Sequence, residues 1–275
     1  MDRHKARLVA RGFTQIYGVD YKETFAPIAK MSTVRVLLSV VVNHSWPLYQ
    51  MDVKNAFLHG DLEEEVYMKL PPGHPQSQDP DMVCKLHKAI YGLKQSSRAW
   101  YAKLSSVLGE VGFRRSNDDS SLFVRIGSTS KLVVLIYVDD LIVTGDNVEE
   151  INILKNSLRR KFAIKDLGPL KYFLGIEMAT SHKGLFLNQR KYVLDLLKDA
   201  DMWDCKPASS PLDSKFQLDV SSEPLLDVCS YQRLVGKLIY LTITRPDITY
   251  AVSIVSQFMH SPSMAHLHIV KRILR

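Results

Sequence analysis

The chain has 275 residues, of which 46% are hydrophobic and 24% charged, enough to bury a sizeable core. Lys and Arg number 36 against 29 Asp and Glu, giving a formal charge of +7 and a pI near 9.2, which favours a polyanionic partner over a neutral one. Cys84, Cys205 and Cys229 are odd in number and show no CxxC spacing, which argues against a disulfide framework or a zinc site and for an intracellular protein.

The first thirty residues are basic, with strand-like pieces such as Ala6–Arg11, and carry charges where a secretory signal needs an apolar run. Met31–Asn43 is apolar, with Ser32 placed as a helix N-cap; its β-branched residues leave helix and strand balanced. Trp46–Val53 reads as a strand ending in the acid Asp52. Asp61–Glu65 is acidic and Pro71–Pro80 is turn-rich. Over Ser97–Val111 the residues Trp100, Leu104, Val107, Leu108 and Val111 share one helical face. Leu122–Ile126 and Lys131–Thr144 read as strands, the second interrupted by Asp139-Asp140. Asn147 and Glu150 have capping-box spacing ahead of a helix that buries Ile151, Leu154, Leu158 and Phe162. Its opposite face presents Lys155, Arg159 and Arg160, as a solvated surface or a nucleic-acid contact. Phe173–Met178 and Leu185–Asn188 form a hairpin turning near Lys183-Gly184, and a helix over Gln189–Asp199 follows. Pro207, Pro211, Pro224 and several serines mark residues 205–227 as a linker. Tyr231–Arg275 is mostly helical, with helix starts at Arg245-Pro246-Asp247 and Ser261-Pro262-Ser263. Strands and helices without strict alternation indicate an α+β fold. The longest apolar runs, Val36–Val42 and Leu132–Val138, are too short to span a bilayer, so no membrane partner is expected.

The sharpest feature is the pair Asp139-Asp140 between two apolar runs. Neighbouring strand residues face opposite sides, so both acids reach one site only at a hairpin tip. Two adjacent like charges are unfavourable unless a cation offsets them. The alternative is an ordinary exposed DD turn. Asp52 at a strand end would supply the third carboxylate, from a separate element, that a pair of divalent ions requires. An all-oxygen donor set points to magnesium, with manganese as the substitute ion.

YVDD at 137–140 is the signature of reverse transcriptases, and seven further words in order resemble copia-type retrotransposon polyproteins. They are KARLVARGF (5–13), FAPIAKMSTVR (25–35), QMDVKNAFLHGDL (50–62), YMKLPPG (67–73), YGLKQSSRAWY (91–101), KDLGPLKYFLGIE (165–177) and LVGKLIYLTITRPDI (234–248). The resemblance implies a right-hand polymerase of fingers, palm and thumb over residues 1–204. An antiparallel palm sheet would hold Asp52 opposite the Asp139-Asp140 hairpin. A linker over 205–230 and a helical connection over 231–275 would follow. It implies RNA- and DNA-templated addition of deoxynucleotides to a primer by two-metal catalysis, with Asp52 and Asp139 bridging the ions and Asp140 more peripheral. The partners would be an RNA or DNA template with its primer, and dNTPs. The location would be cytoplasmic, within virus-like particles.

The same resemblance makes Phe57 the ring that bars a ribose 2′-hydroxyl and Gln95 a dNTP-pocket residue. Lys5, Arg7 and Arg11 become the cations facing the triphosphate, and Phe173-Leu174-Gly175 the primer grip. Read from the residues alone, Phe57 is equally core packing, Gln95 a polar residue at a helix start, the cations a solvated basic strand, and Gly175 a bulge. Ser97 stands where the family has proline and Ser120 where it has histidine; neither is a metal ligand. The family also has a strand before KARLVA and an RNase H domain beyond KRILR. A chain without that strand is expected to hold its triphosphate cations loosely and turn over weakly. The alternative to an active polymerase is an inert remnant that at most binds nucleic acid.

Overall fold

A computed structural model describes residues 7–79, 81–128, 130–181, 184–212 and 223–275. The elements in order are α1 (Met31–His44), β1 (Leu48–Val53), β2 (Asp61–Lys69), β3 (Val83–Lys88), α2 (Ser96–Glu110), β4 (Arg114–Arg115), β5 (Leu122–Ile126), β6 (Lys131–Tyr137), β7 (Asp140–Gly145), α3 (Val148–Lys161) and β8 (Ile164–Pro169). There follow β9 (Tyr172–Phe173), β10 (Ile176–Ser181), β11 (Gly184–Asn188), α4 (Arg190–Asp199), α5 (Val228–Leu241), α6 (Thr249–Ser256) and α7 (Met264–Leu274). Helices and antiparallel strands coexist without βαβ alternation, as an α+β fold requires.

The chain divides into two compact units, residues 1–170 and 171–275. The division read from the sequence lies elsewhere, at 205–230, and residues 213–222 fall outside the described structure.

In the first unit a six-stranded antiparallel sheet runs β4-β5-β6-β7-β1-β8. Period-two alternation sends Leu132, Val134 and Ile136 of β6, Leu141 and Val143 of β7, and Met51 and Val53 of β1 into one core. That core is closed by Trp100, Leu104 and Leu108 of α2 and Ile151, Leu154 and Leu158 of α3. Val133, Leu135 and Ile142 on the other face are buried too, which is why β6 and β7 read as unbroken apolar runs. The acidic stretch Asp61–Glu65 belongs to β2, paired with β3 as a two-stranded ribbon, and Asp61 is held by Lys88 and Lys103.

In the second unit β9, β10 and β11 form a three-stranded sheet. Helices α4 to α7 bury Leu196, Tyr231, Val235, Leu238, Val255 and Ile269 together. Both proline-marked starts are used: Pro246 opens a 3-10 turn, and Ser263 caps α7 reciprocally with His266.

Several local expectations need correction. Residues 31–43, undecided locally, are helical, because Val34, Leu37, Leu38 and Val41 align on one buried face. The N-cap is Lys30, not Ser32. Its amide N–H donates to the buried Asp119 carboxylate, 89 residues away, at 3.1 Å, so a distant side chain does the capping. The strand expected over Ala6–Arg11 reduces, in its described part, to one bridge between Val9 and Tyr91. Asn147 caps α3, accepting from the amides of Glu149 and Glu150, but Glu150 turns to Arg125 and does not close the box. Lys155 is not on a solvated face. It is 4% exposed, its Nζ sits 3.5 Å from the Tyr49 ring centroid and 3.2 Å from Asp166. Arg159 shares the same carboxylate, so two of the three cations read from α3 are committed within the unit.

Candidate active site

β1 lies between β7 and β8, and its register with β7 makes Asp52 the direct cross-strand partner of Asp140. The two side chains therefore leave the same face of the sheet, opposite the face that carries Met51 and Val53. β6 and β7 are joined through Val138 and Asp139, with Val138 at φ 54°, a left-handed conformation that a β-branched residue rarely adopts. The Asp139-Asp140 pair thus stands at a hairpin tip, as the apolar runs on both sides imply.

Two hydrogen bonds fix that tip. The indole N–H of Trp100, on α2, donates to the Val138 carbonyl at 2.7 Å. The amide of Val53, next to Asp52, donates to the Asp139 carbonyl at 2.9 Å. Both bonds use backbone oxygens, so the Asp139 carboxylate stays free to act. A third contact is diagonal: Gln50 Nε2 donates to Asp140 Oδ1 at 3.0 Å from the neighbouring position on the same face of β1. Sequence reasoning missed Gln50 and Trp100. The period-two spacing of Gln50 from Asp52 was the available signal for the first; nothing local indicated the second.

Burial pushes the Asp140 carboxyl pKa up. The Gln50 hydrogen bond opposes this, and repulsion from Asp139 and Asp52 adds to it. Among the described residues none of the three acids has a salt-bridge partner. Nor is any group of three His, Cys, Asp or Glu side chains among them drawn close enough to enclose a metal ion. The donor chemistry fits a hard divalent cation, being all oxygen and mutually repelling; Lys165 on β8 is the other cross-strand partner of Asp52 but forms no salt bridge with it. The fold puts Asp52 and Asp140 on one rung with Asp139 beside them. Because an acid whose pKa is raised on folding destabilises the folded chain once ionised, that penalty is present at neutral pH and relieved as pH falls. Asp140→Asn is therefore expected to raise the Tm of the metal-free chain at pH 7, and to raise it less at acid pH. Equal shifts in thermal melts at both pH values would show that the charge is not the cause.

A second cluster lies in the same unit. Phe57, in a short 3-10 turn after β1, is half-buried against the core, and its ring lies 4.7 Å from that of Tyr91. The Arg7 guanidinium sits 5.0 Å over the Tyr91 ring. Arg11 is exposed and Lys5 lies outside the described residues. Gln95 is 2% exposed, with its amide donating to the Asp20 carbonyl and its oxygen accepting from Gln15, both at 3.0 Å. Its side chain is occupied in holding the 15–20 segment. In the second unit Phe173 is buried, and Leu174 (φ 51°) and Gly175 (φ 72°) make the turn from β9 to β10. The Tyr240 hydroxyl of α5 donates to the Leu174 carbonyl. No described helix is long and apolar enough to cross a membrane.

The reverse transcriptase (RNA-dependent DNA polymerase) family matches residues 1–214. The chain is 47% identical over its whole length to the retrovirus-related Pol polyprotein from transposon RE1 of Arabidopsis thaliana. It is 40% identical, over 99% of its length, to that from transposon TNT 1-94 of Nicotiana tabacum. It spans 19% and 21% of those two polyproteins, about a fifth of each. A putative transposon Ty5-1 protein of Saccharomyces cerevisiae is 34% identical over 82% of the chain and 74% of that protein.

Proposed function

The chain belongs to the reverse transcriptase family of copia-type transposon polyproteins, and from that premise we propose that it carries out RNA- and DNA-templated DNA synthesis in retrotransposition. The observation that carries this reading is the shared rung of Asp52 and Asp140 with Asp139 beside them at the hairpin tip. These three carboxylates would hold two magnesium ions, with manganese as substitute. Bound there, magnesium supplies a lowered pKa for the primer 3′-hydroxyl and neutralises charge on the triphosphate and leaving pyrophosphate.

The rest falls to the chain's own groups. Asp52 and Asp139 would be the principal donors to the ions and Asp140 the more peripheral one. Trp100 and the Val53 amide keep the tip at a fixed height above the sheet. Phe57 faces the deoxyribose, Arg7 and Arg11, with Lys5, the triphosphate, and Phe173-Leu174-Gly175 the primer. Residues 1–204 take the roles of fingers, palm and thumb, with 205–230 linking to the helical 231–275, in a cytoplasmic particle.

Primer extension on poly(rA)/oligo(dT) with magnesium tests the proposal. Incorporation that needs template, primer and divalent ion supports it. Salt-sensitive binding with no extension assigns the inert alternative.

Two further results are expected. Affinity for a primer–template should fall linearly in log K against log salt, with a slope of roughly −0.9 per neutralised phosphate, because Lys and Arg release condensed counterions. The net charge of +7 motivates this, and a flat plot in fluorescence-anisotropy titrations would remove nucleic acid as partner. Phe57→Val should admit ribonucleotides, lowering dNTP-over-rNTP preference by about 10–100-fold, since a smaller side chain opens room for one hydroxyl. Unchanged preference in an active variant would reduce Phe57 to packing.

A further inference from the structure

Three observations meet at Tyr91, a residue for which neither the motif nor the site chemistry supplies a role. Its ring lies 4.7 Å from Phe57, at an interplanar angle of 57°. The Arg7 guanidinium lies 5.0 Å above that same ring. Its backbone carbonyl accepts from the Ala10 amide at 2.8 Å, while Val9 bridges to it. The next residue makes the approach possible. Gly92 is at φ 96°, and a Cβ there would collide with the Ala10 carbonyl, just as one at Gly12 would collide with the Gly92 carbonyl. Main chain and side chain of Tyr91 therefore tie the basic 7–12 segment to the Phe57 turn.

A ring that excludes one hydroxyl works only if it cannot swing aside, because the discrimination comes from a gap of about one atom. Phe57 is half-buried, and the core restrains only part of its surface. Tyr91 packs beside the Phe57 ring. Arg7 is exposed, and a long flexible side chain loses most of its rotamer freedom when it is held on an aromatic face. We propose that Tyr91 is a specificity-determining residue: its ring backs Phe57 against the sugar and carries the Arg7 cation towards the triphosphate, coupling deoxyribose selection to triphosphate affinity. This rests on the polymerase reading above, and on Phe57 as the residue that faces the sugar.

The test uses the 275-residue chain and steady-state incorporation of dTTP and UTP on poly(rA)/oligo(dT). Tyr91→Ala is expected to lower the dTTP-over-UTP ratio of kcat/KM at least about tenfold and to raise the KM for dTTP, through lost backing and lost stacking respectively. Tyr91→Leu keeps bulk but no π face. It should raise KM with a smaller change in ratio, and it serves if the alanine variant does not fold. Tyr91→Phe keeps the ring and should restore both quantities. Equal losses of kcat for dTTP and UTP, with the ratio held in both the Ala and Leu variants, would overturn the proposal as a structural effect only. If Phe57→Val lowers the ratio while the Tyr91 variants do not, the gate stands and Tyr91 is no part of it. If Phe57→Val leaves the ratio unchanged, the gate reading fails first and the proposal falls with it.

Discussion

Asp139→Asn is expected to abolish primer extension, with a loss of about a thousandfold or more in kcat, while the chain still folds. The carboxylate lies at the hairpin tip, and the backbone bonds that hold the tip, from Trp100 to Val138 and from Val53 to Asp139, use main-chain oxygens. Asparagine leaves both in place. On the two-metal reading proposed above, what it removes is one negative charge from the set that would offset two divalent ions. A loss of ~4 kcal/mol of transition-state stabilisation corresponds to about a thousandfold in rate. Removing a repelling charge beside Asp140 should leave the metal-free chain as stable as the parent or more so. The measurement is single-turnover extension beside a thermal melt. Parent-like extension in a folded variant would remove Asp139 from the metal set, and a collapsed melt would make the rate uninformative about chemistry.

Trp100→Ala should give the largest stability effect. Trp100 is 1% exposed, stacks edge-on to Phe162 at 5.0 Å, and lies at the centre of the core between sheet and helices. Truncating a fully buried tryptophan costs about 3–5 kcal/mol. Whole domains have only about 5–15 kcal/mol to lose. The same change strands the Val138 carbonyl, for which Trp100 supplies the indole donor. Trp100→Phe separates the two effects. It keeps most of the ring volume, so denaturant melts should show a loss nearer ~1 kcal/mol. Extension should still fall, because the tip loses its tether to α2. A Phe variant that extends at the parent rate would show that β6 and β7 position Asp139 without help.

Local signals in the sequence were enough for the elements whose pattern lies within a short window. The α2 and α3 faces, the β6–β7 hairpin around Asp139-Asp140, the strand that ends in Asp52 and the proline-marked helix starts all follow from periodicity and turn chemistry. Each depends on residues within about ten positions of one another. The family, too, was legible, because eight motifs in order are a one-dimensional signal. Tertiary structure alone decided what depends on distant partners. Met31–His44 is a helix because its apolar stripe finds a core and because Asp119 accepts from the amide of its N-cap residue, Lys30. Lys155 is buried because Asp166 and Tyr49 supply a counter-charge and a ring across β8 and β1. That Asp52 shares a rung with Asp140, that Gln50 reaches the same carboxylate, and that Arg7, Tyr91 and Phe57 stack in sequence are facts of register and packing. A one-residue slip of β1 against β7 would turn Asp52 into the core and Met51 towards the acids, and the burial of Met51 and Val53 forbids it. The acids can be named from the chain, but only the hydrophobic register of the strands brings them to one face.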